Sequence, residues 1–208
     1  MVVPAARSYA GRSAHDRRVE RRDRLIDAAI TVFATTGYAA SSVSEICTHA
    51  NLSTRQFYAE FADREEILGA AYDLVNTNAS AVVAAAAAAT VDDQFDIRLR
   101  KIVHSYLAEI VRDPRHARIA FVEVVGVSAP MEAKRHARVE AWIELLDLAA
   151  APAVASGELP SRDYRLAWIG YIGAVNALVA HRTLNSPHTP IDDLVEELVR
   201  MARSGVLH

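Results

Sequence analysis

The run Ser53-Thr54-Arg55-Gln56 sets hydroxyls, a guanidinium and a primary amide side by side at the start of a short predicted helix. These are the groups that read base edges. Arginine pairs bidentately with guanine and glutamine with adenine, and short polar residues on a first turn let a helix approach a major groove. Thr54, Arg55 and Gln56 fit that task. Hydroxyls at Ser41, Ser42 and Tyr58, with the N–H groups of helix amino termini, suit phosphate oxygens. The chemistry on offer is recognition of a polyanion, with no bond made or broken.

The elements that must position these side chains are legible from their caps. Ser42-Val43-Ser44-Glu45 has the capping-box spacing, and Ser53 to Gln56 repeats it. Ile46 and Ala50 follow the first box and face inward; Phe57 and Phe61 follow the second and pack the helices together. Asn51, a residue that tolerates positive φ, stands between them. Two short capped helices joined by Ala50-Asn51-Leu52 make a helix-turn-helix pattern. Ahead of it a helix runs from about His15 to Thr36 with the apolar stripe Ile26, Ala29, Ile30 and Phe33, and Gly37 ends it.

The remainder reads as helix throughout, which makes the fold class all-α. Strand signals are nearly absent, and the 8 glycines and 7 prolines mark boundaries. Asp63 caps a long helix that runs into the alanine-rich stretch 79–91, and Asp92-Asp93 opens the next. Asp113-Pro114 and Ala129-Pro130 read as breaks, and Ser156-Gly157 to Pro160 as a loop. A strongly apolar helix follows from Asp163 to about Leu184, and the last helix carries Ile191, Leu194, Val195, Leu198 and Val199. About nine helices result, without an internal repeat.

The chain has 208 residues, of which 51% are hydrophobic, enough for a sizeable core. Its net charge of −3 is unevenly spread: residues 1–24 carry seven arginines against three acids, whereas 65–208 are net acidic. A basic end on an acidic body points to a polyanionic partner. The expected division is a flexible basic arm at 1–14, a helix-turn-helix domain at 15–62 and a larger domain at 63–208. Arg7, Arg12, Arg17 and Arg18 are read as arm residues able to enter a minor groove or lie along the backbone. The single cysteine, Cys47, suits a reducing cytoplasm and reads as a small buried filler. No signal peptide or membrane span is expected, since the longest apolar stretch is short and mostly alanine. The eight histidines show no paired ligand spacing, so no metal is expected. Phosphate loops, nucleophile elbows and acid/base pairs are missing, so no catalytic residue and no cofactor is assigned.

From Gly37 the stretch GYAASSVSEICTHANLSTRQFYAEFADREEIL resembles the TetR family of bacterial transcriptional regulators. The matching positions are Gly37, Ser42, Ile46, Ala50, Ser53, Phe57, Tyr58, Phe61, Glu65 or Glu66, and Ile67. Asn51 stands where the family has a turn glycine, Cys47 where it has alanine, and Arg64 where lysine is common. Arg64 can still meet a phosphate. Glu60 stands where the family often has histidine near the phosphates, a place that DNA would make unfavourable for a carboxylate. The resemblance implies an N-terminal three-helix DNA-binding domain and a C-terminal helical domain for ligand binding and dimerisation. It implies a homodimer through Asp163–Leu184 and the last helix, double-stranded DNA as partner, and a repressor released from a palindromic operator by a small ligand. The implied pocket draws on Phe95, His104, Tyr106, Phe121, Glu123, Trp142, Trp168 and Asn176. Two other readings stand beside it. A helical enzyme has no residue to rest on. A helical small-molecule-binding module that no longer binds specific DNA is supported by Glu60 and the modest charge of the first 64 residues.

Overall fold

The computed structural model describes residues 13–205. Among them there is no strand, only nine α-helices and one π-helical turn. The helices are α1 (Ala14–Thr36), α2 (Val43–Ala50), α3 (Thr54–Tyr58), α4 (Arg64–Ala89) and α5 (Phe95–Arg112). Then come α6 (Pro114–Arg118), which runs into the π-helical turn Ile119–Glu123, and α7 (Ala129–Ala155), α8 (Arg165–Asn185) and α9 (Ile191–Gly205).

Local chemistry sets the boundaries. Both expected capping boxes form: Ser42 N–H donates to Glu45 at 2.7 Å, and Ser53 N–H donates to the Gln56 Oε1 at 2.8 Å. Asn51 takes the left-handed conformation at φ 51°, and Gly37 ends α1 at φ 87°. Asp113-Pro114 and Ala129-Pro130 break one helix by starting another. Asp113 and Ser128 cap α6 and α7, with the proline in the first turn, where its missing N–H costs nothing. Asp92-Asp93 does not start α5; both residues lie in the turn before it. Most of the basic arm, with Arg7 and Arg12, lies outside the described residues. Arg17 and Arg18 belong to α1 instead of the arm, because Ser13 and Asp16 form a capping box that starts the helix ahead of them.

One apolar core joins the two halves. It runs from Leu25, Phe33, Phe57 and Phe61 through Ile67 and Leu68 to Leu107, Ile119, Trp168 and Leu198. α4 is the shared member. Its first turns pack against α1 and its length packs against α5, α7 and the π-helical turn, while α5 and α8 rest on α9.

Candidate nucleic-acid interface and ligand cavity

α3 buries Phe57 completely and turns Thr54, Arg55 and Tyr58 outward. Tyr58 is 57% exposed, with its ring edge-on to Phe57. The structure thus gathers three of the expected contacts on one polar face. The others have different occupations. Gln56 is exposed, but its Oε1 accepts from Ser53 N–H and Oγ–H, so it serves first as a cap. The Ser42 hydroxyl is likewise engaged with Glu45.

Ser41 and Arg64 are engaged within the fold, Ser41 almost wholly and Arg64 through one guanidinium nitrogen. Ser41 is only 7% exposed, and its hydroxyl donates to the Tyr38 carbonyl at 2.8 Å. The Arg64 guanidinium lies over the Tyr38 ring and donates to the carbonyls of Tyr38 and Ser41. Both residues hold the loop between α1 and α2, which has no helical hydrogen bonds of its own.

The arginines of α1 are also largely spent on the fold. Arg24 donates to the carbonyls of Ala50 and Asn51 at the carboxyl end of α2, where a cation complements the helix dipole. Arg22 donates to the Glu60 carbonyl and lies 4.2 Å from the centre of the Phe61 ring. Arg18 and Arg21 pair with the Glu60 carboxylate, whose side chain is fully buried. Glu60 therefore faces away from a polyanion and is neutralised from within. Burial pushes its pKa up, but hydrogen bonds from Arg21 and Arg18 and their charges prevail and hold it below the ordinary 4.5. A depressed carboxylate contributes stability above its unfolded-state pKa and loses it as pH falls through the folded value. Glu60→Gln is thus expected to cost about 1–3 kcal/mol near neutral pH, a gap that closes in acid as the wild-type carboxyl gains its proton. Thermal unfolding of both proteins from pH 7 to pH 3 checks this; a gap constant with pH would contradict it.

Beyond this half, the π-helical turn forms a junction. Glu123 accepts the Tyr38 backbone N–H at 2.7 Å and Arg118 Nε at 2.8 Å. Arg115 reaches α1 at Asp27 (3.1 Å) and Thr31 (2.6 Å). Two residues before Glu123, Phe121 lines a cavity in the larger half.

That cavity has two lobes, and Tyr106, Trp142, Ile172 and Asn176 line both. One lobe is walled by Val83, Ile102, Val103, Leu146 and Val175. The other opens onto Tyr72, Asn76, Glu132, Arg135, His136 and Arg138. Tyr106 stands edge-on to Trp142 with centroids 5.3 Å apart, and the Trp142 indole N–H donates to the Asn76 side-chain Oδ1 at 3.4 Å. Burial pushes the Tyr106 hydroxyl's pKa up, so it remains an O–H donor.

Of the expected pocket residues, Tyr106, Phe121, Trp142 and Asn176 meet here. Three do not. Phe95 is buried at the start of α5, and Trp168 is a core residue donating to Asp147 at 2.6 Å. His104 is half-exposed, 3.8 Å from Asp192 on α9. Glu123 belongs to the junction. Sequence reasoning missed Asn76, Arg135 and Arg138, although Arg135, Arg138 and Trp142 share the i, i+3, i+7 spacing of one helix face.

α8 is apolar on its outer side as well. Leu166 is 83% exposed, and Ile169, Gly170, Gly173, Ala177 and Leu184 are exposed with it. Among the described residues no helix is long and apolar enough to cross a membrane.

The family model described as bacterial regulatory proteins, tetR family, matches residues 25–71, which run from within α1 into α4. No curated protein matches the chain. Among solved structures, the fatty acid degradation regulator FadR from Bacillus halodurans superposes with a TM-score of 0.76 at 20% identity, over 90% of this chain and 97% of that one. FadR from Bacillus subtilis, solved in complex with stearoyl-CoA, gives 0.75 at 20% identity, over 88% and 98%. A TetR-family regulator from Rhodococcus sp. gives 0.69 at 23% identity, over 90% and 98%. The capped helix pair with its outward polar face thus lies inside the stretch that matches the tetR family of bacterial regulatory proteins, and the chain as a whole has the fold of the TetR-type regulators it superposes on.

Proposed function

We propose that this regulator is a homodimeric repressor that leaves a palindromic operator when a small molecule fills the two-lobed cavity. The observation that carries the reading is the π-helical turn, which touches both sites: Phe121 lines the cavity and Glu123 holds the backbone just ahead of α2. Residues 15–62 are taken as the DNA-binding domain and 63–208 as the ligand-binding and dimerisation domain. Thr54, Arg55 and Tyr58 face the DNA, with Gln56 and Ser42 in secondary positions behind their caps. The outer face of α8, continued by α9, is taken as the dimer surface, setting two copies of α3 into successive major grooves. Such a protein works beside the chromosome, in the cytoplasm. The stearoyl-CoA held by the Bacillus subtilis FadR supports a ligand with an apolar chain.

Selection of bound sequences from a random DNA pool tests the reading. The expected product is a palindrome with half-sites about one helical turn, roughly 34 Å, apart. On that operator Arg55→Ala is expected to cost about 1–3 kcal/mol and to relax the preference at one base pair. Tyr58→Phe is expected to weaken all sequences alike, as loss of a phosphate contact does. Weak, salt-sensitive binding without sequence preference would instead favour a ligand-binding module that has given up specific DNA.

A further inference from the structure

We infer that the cavity takes an amphipathic monocarboxylate, with its apolar body in the lobe lined by Val83, Ile102, Val103 and Leu146 and its carboxylate against Arg138 and Arg135. The inference rests on reading the cavity as the ligand site and names what the site recognises.

The two lobes adjoin at Tyr106, Trp142, Ile172 and Asn176, and the proposed ligand lies across both beside those side chains. The apolar lobe offers no charged group to its occupant. The polar lobe offers two guanidiniums and one carboxylate, Glu132, and that carboxylate is already committed. It accepts the Gly126 N–H at 2.9 Å and Arg135 Nη1 at 2.6 Å. Arg138 differs. Its side chain is three-quarters buried, and its nearest acid is Asp73 at 3.6 Å, beyond hydrogen-bond reach. Asp73 is itself held by Lys134. Among the described residues no acceptor takes the Arg138 N–H groups.

A guanidinium three-quarters buried, ion-paired only at 3.6 Å and with its fork free of hydrogen bonds, is a seat for a planar carboxylate. At the waist between the lobes, the Asn176 amide and the Tyr106 hydroxyl have no protein partner among the described residues, which leaves donors for the same head group. The local charge sets the valence. Arg135, Arg138 and Lys134 face Glu132 and Asp73, leaving room for about one more negative charge. A coenzyme thioester has no carboxylate at the end of its chain and brings several phosphate charges, so this cavity is built for a different head group from that of stearoyl-CoA.

The test is titration of the purified full-length protein, without DNA, by decanoate, decanol and decanoyl-CoA. Calorimetry and the fluorescence of Trp142, which lines both lobes, report binding. Decanoate is expected to bind at least about 10-fold tighter than decanol, the difference a charge-assisted bidentate contact makes. Arg138→Gln is expected to remove most of that preference while leaving decanol affinity unchanged, and Arg135→Gln to reduce it less. Thermal unfolding verifies that each variant is folded. Equal binding of decanoate and decanol, or tighter binding of decanoyl-CoA than of decanoate, would overturn the inference. So would failure of all three to bind. Because the readout contains no operator, a failed operator selection would strike the repressor reading and leave this result standing.

Discussion

Gly173→Glu is expected to give a folded monomer that has lost its operator. A glycine inside a helix costs roughly 0.5–1 kcal/mol relative to alanine, and α8 carries two of them, Gly170 and Gly173, on its exposed side. Nothing within the protomer demands them: a Cβ at either position meets no atom within 4 Å. Leu166, Ile169, Ala177 and Leu184 extend the same exposed apolar face, the one proposed above as the dimer surface. A second copy packed about a two-fold axis would cover it, with helix against helix. A glutamate at the centre of that contact would bury two unpaired carboxylates facing each other, at a cost of several kcal/mol that opposes association. In the separate protomer the same side chain points into solvent and replaces a poor helix former. Circular dichroism is therefore expected to be unchanged while light scattering reports half the mass. A monomer engages one half-site, so operator affinity is expected to fall toward the non-specific level, about 10³-fold or more. A variant that stays dimeric with full operator affinity would move the interface off this face of α8.

The sequence made the helices legible because their signals are local. Ser42 with Glu45, Ser53 with Gln56, Asn51 and Gly37 each act within four residues, and each does in the fold what its spacing promises. What escaped was set by partners distant in the chain. Glu60 looked like a liability against DNA until Arg18 and Arg21, about forty residues earlier, closed over it. Arg64 reads in the sequence as a phosphate ligand only, yet one of its guanidinium nitrogens also holds Tyr38 and Ser41. The seven arginines of the first 24 residues suggested a basic arm, but four of them clamp the helix-turn-helix. In the larger half, choosing pocket residues by aromatic type brought in Phe95 and Trp168, which the core also wants. The charged wall was overlooked because arginines on a helix usually face solvent. The two at 135 and 138 share a face with Trp142, and that spacing was the available signal.

Glu123→Ala is expected to separate ligand binding from operator release. The Glu123 carboxylate is one of two anchors on the loop that leads into α2; it takes the Tyr38 N–H, and Arg64 takes the Tyr38 carbonyl. Its own backbone lies in a π-helical turn, a form that carries an extra residue per turn and recurs at functional sites. Ile119 and Val124 pin the two ends of that turn in the core, completely buried. Phe121, between them, faces the cavity. An occupant that pushes Phe121 beyond what its rotamers can absorb is expected to deform the turn between its pins and to carry Glu123 with it. The anchor on Tyr38 is then lost or shifted, and α2 with it. Coupling of this kind is reciprocal, so operator must weaken ligand binding by the factor by which ligand weakens operator binding. In the wild type that factor is expected in the range of about 5- to 150-fold. In Glu123→Ala it is expected to fall to within about 3-fold of unity, with decanoate affinity in the absence of DNA unchanged. Glu123→Gln keeps an oxygen for the Tyr38 N–H and is expected to keep most of the coupling, which separates the anchor from the ion pair with Arg118. Titrating decanoate into each protein with and without operator measures the factor directly. A wild-type factor in Glu123→Ala would mean that release travels along α4, the other element the two halves share.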